Sequence, residues 1–473
     1  MFNPTPRCQW NTARGRWALR ALLGVAISGV LLCHVALTRA DDVPAPPTYV
    51  VVTNQSRQRL ELFKIVGNPG TLQPASGTPL AVAATEQNPC AVKIHPNNRL
   101  VIVEQCDGEE NISAYELDDE TLHLIAKVSG GLLSGNMAFS VDGRFLYATQ
   151  SDADPDLGIP GQFNAVLTIE IDLDTGMLTS RGSRAIPGAG ASGIGVSRDG
   201  TRLLVADRLS DAVQVIDITN GIPGSIGTIS TRPHPIDLAI DPRNRFFAVL
   251  HRNDHILAVY TPDPMGNLSV AEANTCPWPR VVLFNDAGDR LFVLCDVLGL
   301  VDAFEIGDDG RPVPQARVAT GSTASRAMSI ANSEDILLIA NGFERTTNLG
   351  ETIRGFRIEP GGLTAIDPAL PINGIPTDVA ATDPGNSPAP PSATSPTTSP
   401  ATSADASPAV AQPTPATTQA SPAGGGGGGG GGCNMVPASE GASVPWLAAF
   451  GNLGLPCMAL ALMRTLRWRQ GKR

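Results

Sequence analysis

The chain has 473 residues with 34 Lys and Arg against 45 Asp and Glu, and ten of the basic residues sit in residues 1–40 and 464–473, where there is no acid. Residues 41–463 therefore carry about −21 at neutral pH, a charge that repels phosphate backbones and argues against nucleic-acid binding. No CxxC, CxxCH or HExxH occurs among the eight cysteines and six histidines, which removes the usual signals of haem, thioredoxin-like and zincin chemistry.

Residues 1–40 read as a secretory signal: Arg7, Arg14, Arg16 and Arg20, then an apolar run over 21–36, then a small-residue site ending at Ala40. Cys33 suggests a lipoprotein instead, but Leu32 stands where a small residue is needed. Residues 41–385 are then built from one repeated unit, a short apolar strand, an Asp/Asn/Gly turn and a more hydrophobic strand. Copies stand at 91–103, 137–147, 193–205, 236–249, 281–293 and 328–339. Each is followed by an alternating strand and a further turn, as at 212–217 and 172–176, so a unit of roughly 45 residues holds four strands.

The ends set the number of units. Residues 49–65 supply a second and third strand with no first strand ahead, and 376–385 supply a first strand with nothing after it. Joining them makes a seventh blade, and the expected fold is an all-β, seven-bladed β-propeller closed by its C-terminal strand. Tyr49 to Asn54 and the strand–Asp-Gly–strand unit resemble the YVTN-type propellers, relatives of the lactonase-like propellers, over about residues 48–385.

Residues 386–432 are a disordered linker, rich in Ser, Thr, Pro and Ala and ending in nine glycines from Gly424 to Gly432. In residues 433–473, Cys433 precedes an apolar stretch over 444–463 and then Arg464, Arg467, Arg469, Lys472 and Arg473. A plain C-terminal membrane anchor would fit. The Gly-rich run, Cys, helix and basic cluster also resemble the tripartite sorting signals of rhombosortase-type intramembrane proteases. That resemblance implies an envelope sorting protease as partner, Cys433 as the new terminus, and export to the periplasm, outer membrane or surface of a Gram-negative bacterium.

In a propeller, the loops between second and third strands and those between blades crowd one face around the central channel. The charged residues expected there are Arg57, Glu109, Glu110, Arg208, His234, His251, Arg252, Asp254, His255, Asp296, Arg326, Glu344 and Arg345. The lactonase-like resemblance implies a Pro-Arg-His segment and a His-rich inter-blade loop at that mouth. Here Pro279-Arg280 is followed by Val281, and His234 has Ile236 where a second His would help. Arg280 remains an anion-binding group, and His234, Asp296 and His251 are the acid–base candidates.

Other motifs are weaker. His251 and His255 look like a helical metal pair, but the repeat puts them at a strand end and turn, where i and i+4 do not face together. Asp152, Asp154 and Asp156 alternate within an insertion over 150–163 and could wrap a calcium ion, the one cofactor considered, although the Gly comes late and Phe163 stands where the bidentate Glu would be. The GxGxxG at 188–193 lies inside a β repeat with no helix to receive a pyrophosphate. Cys90 and Cys106 flank a strand–turn–strand and are expected to pair, as are Cys276 and Cys295. Two functions follow: a displayed module binding a surface ligand or protein, and, as the alternative, a lactonase-type hydrolase, either 6-phosphogluconolactonase-like or carboxymuconate-cyclase-like. The eroded His pattern favours the first.

Overall fold

A computed structural model describes residues 47–383, apart from 68–69, 76–82, 85–87, 107–109, 119, 132, 154–160, 162, 264, 332–334 and 343–350. The signal, linker and tail, with Ala40 and Cys433, lie outside the described residues. The described chain forms seven antiparallel sheets, six of them running outward in chain order. Their inner strands are Pro89–Ile94, Leu133–Phe139, Ala191–Val196, Pro235–Ile240, Pro279–Phe284 and Ser325–Ala331 in blades 2 to 7. Blade 1 is composite: Pro376–Ala381 is its inner strand and pairs with Tyr49–Asn54.

The second strand of each blade explains why these repeats read as continuous apolar runs. It is covered on both faces, so both sets of alternate side chains must be apolar. In Arg290–Cys295, Leu291, Val293 and Cys295 pack toward blade 5, while Phe292 and Leu294 pack toward blade 7. The same alternation divides the core into seven apolar clusters, one at each junction between neighbouring blades. Among the described residues the apolar packing therefore lies between blades.

Each inner strand ends in a turn that the sequence specifies. In Ser140–Gly143, the Ser140 hydroxyl donates to Asp142 at 2.6 Å and Gly143 takes φ +73°. Ser197–Gly200 repeats the arrangement, Ser197 donating to Asp199 at 2.6 Å with Gly200 at φ +70°. These Asx-type turns fix the hairpin that returns the chain outward.

Closure of the ring is reinforced by side chains. Tyr49 N–H donates to Thr382 Oγ1 at 2.7 Å, and Asp378 N–H donates to Thr53 Oγ1 at 2.8 Å. Asp378 also reaches into blade 2, where its Oδ2 accepts Val92 N–H at 2.8 Å. The closing strand thus bonds both to the second strand of its own blade and to blade 2.

A candidate active site at the channel mouth

At one face of the ring each inner strand begins and each second strand ends. Pro235 lies opposite His251, and Pro279 opposite Cys295. A register shift follows the first inner-strand residue in blades 6 and 7, between Pro279 and Val281 and between Ser325 and Ala327. The bulged residues are Arg280 and Arg326, and a bulge re-aims a side chain that regular pairing would bury. Arg252 and Asp296 are the first residues past the second strands of blades 5 and 6.

These positions converge. Arg252 Nη2 donates to Asp296 Oδ2 at 3.2 Å, and Arg280 Nη1 approaches the same oxygen at 3.5 Å. Arg280 Nε is anchored on the Arg326 carbonyl at 2.9 Å. Two guanidiniums therefore share one carboxylate oxygen, while Asp296 Oδ1 is enclosed and finds no partner among the described residues. The cluster keeps an excess positive charge at the mouth of an otherwise acidic body, which suits an anion or a polarised carbonyl oxygen.

Trp278, just before the inner strand of blade 6, stands beside the cluster. It is 43% exposed and takes φ +60°, a costly conformation for a bulky residue. Its N–H donates to His255 Nδ1 at 3.2 Å, its carbonyl accepts Asp296 N–H at 3.3 Å, and the Arg252 guanidinium lies 5.5 Å from its ring. The Cys276–Cys295 disulfide, with Cα atoms 6.0 Å apart, ties this loop to the strand that delivers Asp296. Below it, Asp302 accepts Cys276 N–H at 2.6 Å and holds Arg317 through two bonds of 2.5 and 2.8 Å.

One residue deeper along the inner strands stands Asp237. Its Oδ2 accepts Val282 N–H from the next blade at 2.9 Å. Burial pushes its carboxyl up to about 6, opposed by the Val282 and Leu238 amides and by the charges of Lys93 and Arg280. Asp378 in blade 1 holds the matching place, is likewise raised by burial, and feels the same two cations. On the other side of Asp237 the matching residue is Gly193, where an added Cβ would come within 2.6 Å of the Asp237 carboxylate and main chain. That close approach requires glycine.

The structure joins Arg280 with Asp296 and adds Arg252, which the sequence marked only as a mouth residue. His234 adjoins them through its main chain: its carbonyl accepts Arg252 N–H at 3.2 Å, and its N–H donates to Asp211 at 2.9 Å. His251 is placed differently from an accessible base. It is fully buried, with Nδ1 3.2 Å from the Pro233 carbonyl and Nε2 enclosed without a partner among the described residues, and burial lowers its pKa. His255 takes φ +57° in a turn, as the repeat implied, and supports Trp278 instead of pairing with His251.

Of the other mouth residues, Arg57 bonds Asn373 at 2.6 Å and Asp254 bonds Arg232 at 3.1 Å, while Glu109, Glu344 and Arg345 lie outside the described residues. Asp152 Oδ1 accepts Phe163 N–H at 2.8 Å, and Asp154 and Asp156 also lie outside them. Among the described residues no three His, Cys, Asp or Glu are grouped to hold a metal. Cys90 and Cys106 pair as expected, at a Cα separation of 5.6 Å. They occupy in blade 2 the positions that Arg280 and Asp296 hold in blade 6, one in the bulge and one past the second strand.

A family model described as "Lactonase, 7-bladed beta-propeller" matches residues 92–284, a span that includes Asp237, Arg252 and Arg280 but stops short of Asp296. Among solved structures, the chain is similar to the periplasmic gluconolactonase PpgL of Pseudomonas aeruginosa, at 18% identity and TM-score 0.59, covering 71% of this chain and 99% of that one. A protein from Lactobacillus plantarum matches at 16% identity and TM-score 0.60, covering 72% and 100%. A protein of Bacteroides fragilis, proposed to be a 6-phosphogluconolactonase, matches at 16% and 0.56, covering 72% and 99%. At such identities the structures establish the fold alone. No curated protein matches the chain.

Proposed function

We propose that this propeller is a lactone hydrolase acting at the channel mouth. The observation that carries the reading is the Arg252–Asp296–Arg280 cluster beside Asp237, in a chain whose residues 92–284 match the lactonase propeller model. A non-catalytic displayed module, which the missing His pattern favoured, receives less support, because the mouth supplies a different set of groups for the same chemistry.

Hydrolysis needs an electrophile for the carbonyl oxygen and a base for water. Arg280, with Arg252 beside it, would hold the carbonyl oxygen and stabilise the charge that grows there. The raised carboxylate of Asp237 would take a proton from water as its oxygen bonds to the carbonyl carbon. The ring C–O bond then breaks, its electron pair goes to the leaving alkoxide, and the proton passes from Asp237 to that oxygen, giving the hydroxy acid. Asp296 acts by aligning both guanidiniums. Two formed disulfides suit an oxidising compartment, and the proposed site of action is the periplasm or cell surface.

Proton release from the full-length protein on a panel of sugar, aliphatic and aryl lactones tests this reading. Turnover reduced at least about 100-fold in Arg280→Ala is expected, on the scale of lost oxyanion stabilisation. No turnover above buffer by well-folded protein on any lactone would overturn it.

A further inference from the structure

The rim of the mouth is apolar beside the Arg252–Asp296–Arg280 cluster, which holds two guanidiniums on one carboxylate. Beside Trp278, the next two residues after Asp296 are Val297 and Leu298, exposed by 46% and 48%. The two loops are bonded to each other through Asp296 N–H and the Trp278 carbonyl. Large exposed apolar side chains elsewhere among the described residues are dispersed over outer strands and turns, as with Leu124, Ile222, Val270 and Val313. Trp278 is not a casual exposure: it is held at positive φ, bonded to His255 and flanked edge-on by that ring at 5.9 Å. The far end of this loop is fixed at Gly299, φ +57°, which packs so closely on the Ser322 carbonyl that no side chain fits.

A ligand that satisfies both surfaces must be amphipathic. Its anionic end meets Arg252 and Arg280, and its apolar part covers Trp278, Val297 and Leu298. A polyhydroxylated acid would set hydroxyls against Val297 and Leu298, whose side chains offer neither donor nor acceptor, and lose the hydrogen bonds it made to water. An aryl or alkyl group there gains area burial and ring contact. We propose that the mouth selects carboxylates bearing an aryl or alkyl group over polyhydroxylated sugar acids. This deepens the hydrolase reading and rests on its choice of site, but it concerns binding and is measured without turnover.

Titration calorimetry of the full-length protein with 4-phenylbutyrate, D-gluconate and 4-phenylbutanol tests it. Phenylbutyrate is expected to bind at least about tenfold more tightly than either of the others, because each of them lacks one half of the match. Trp278→Ala is expected to weaken phenylbutyrate about tenfold and leave gluconate unchanged, with Trp278→Phe restoring most of the loss. A thermal melt separates loss of binding from loss of fold. Gluconate binding as tightly as phenylbutyrate, indifference to Trp278→Ala in folded protein, or no binding by any probe would each overturn the inference. Selective phenylbutyrate binding without turnover of any lactone would sustain it and sink the hydrolase; turnover confined to sugar lactones would do the reverse.

Discussion

Asp237 combines a cost to stability with a proposed use in catalysis. Its carboxyl is raised in the folded state, so protonation favours the fold: the stabilising form is complete below the unfolded value near 4, and that stability is lost as pH rises through about 6. Asn at this position keeps an acceptor for Val282 N–H without the charge. Asp237→Asn is therefore expected to raise stability at pH 8 by about 1–2 kcal/mol and to change little at pH 4, as urea titrations at the two values would show. In the hydrolase reading the same variant loses the rise of kcat/KM with pH near 6, which a pH-rate profile checks. Asp296 was legible in the sequence, because charged residues at strand ends of a propeller face one mouth, and Arg280 through the Pro279-Arg280 of the lactonase-like resemblance. Asp237 was not, since a strand-interior polar residue reads as an imperfection of the repeat. Its signal was the recurrence of Pro-x-Asp at Pro235 and Pro376, the first residues of two inner strands.

At the scale of elements, the site depends on the joint between the blade 5–6 loop and the second strand of blade 6. Replacing both Cys276 and Cys295 by Ser is expected to cost about 3 kcal/mol, the chain-entropy value for a loop of this length. Because Cys276 lies two residues before Trp278 and Cys295 immediately before Asp296, the variant should also raise KM more than it lowers kcat. Asp302→Ala leaves the buried Cys276 N–H and Arg317 without their acceptor, and a loss of about 2–3 kcal/mol in urea melts is expected. The pairing of these cysteines was legible from their local spacing. What they hold in place was not, because Trp278 lies in a loop whose positive φ only packing against blade 5 imposes.

For the whole ring, stability comes from seven interfaces of similar kind, so the junction closed by Pro376–Ala381 matters as much as any other. Ending the chain before Pro376 would leave Tyr49–Asn54 as an open edge, and soluble protein is expected to give way to aggregates in size-exclusion chromatography. Titration across the molecule follows from opposed sets of carboxylates. Asp207 and Asp237 are pushed up to about 6 by burial, and their contribution is lost as pH rises. Asp172, Asp199 and Asp263 are held below the usual range by turn hydrogen bonds, and theirs is lost as pH falls. With the acidic body adding self-repulsion at high pH, the melting temperature should peak between about pH 4 and 6.

The sequence by itself determined the architecture. Strands covered on both faces must carry apolar residues on both sets of alternate positions, turns must carry Asp and Gly, and complementary half-blades at the two ends admit one closure. It also placed charged residues on one face. Which of them meet was decided only by the tertiary structure, because the register of seven separately twisted sheets about a common axis sets the distances at the mouth. That register brought Arg252 and Arg280 onto one oxygen of Asp296, withdrew His251 into the wall between blades, and set Asp237 beneath them.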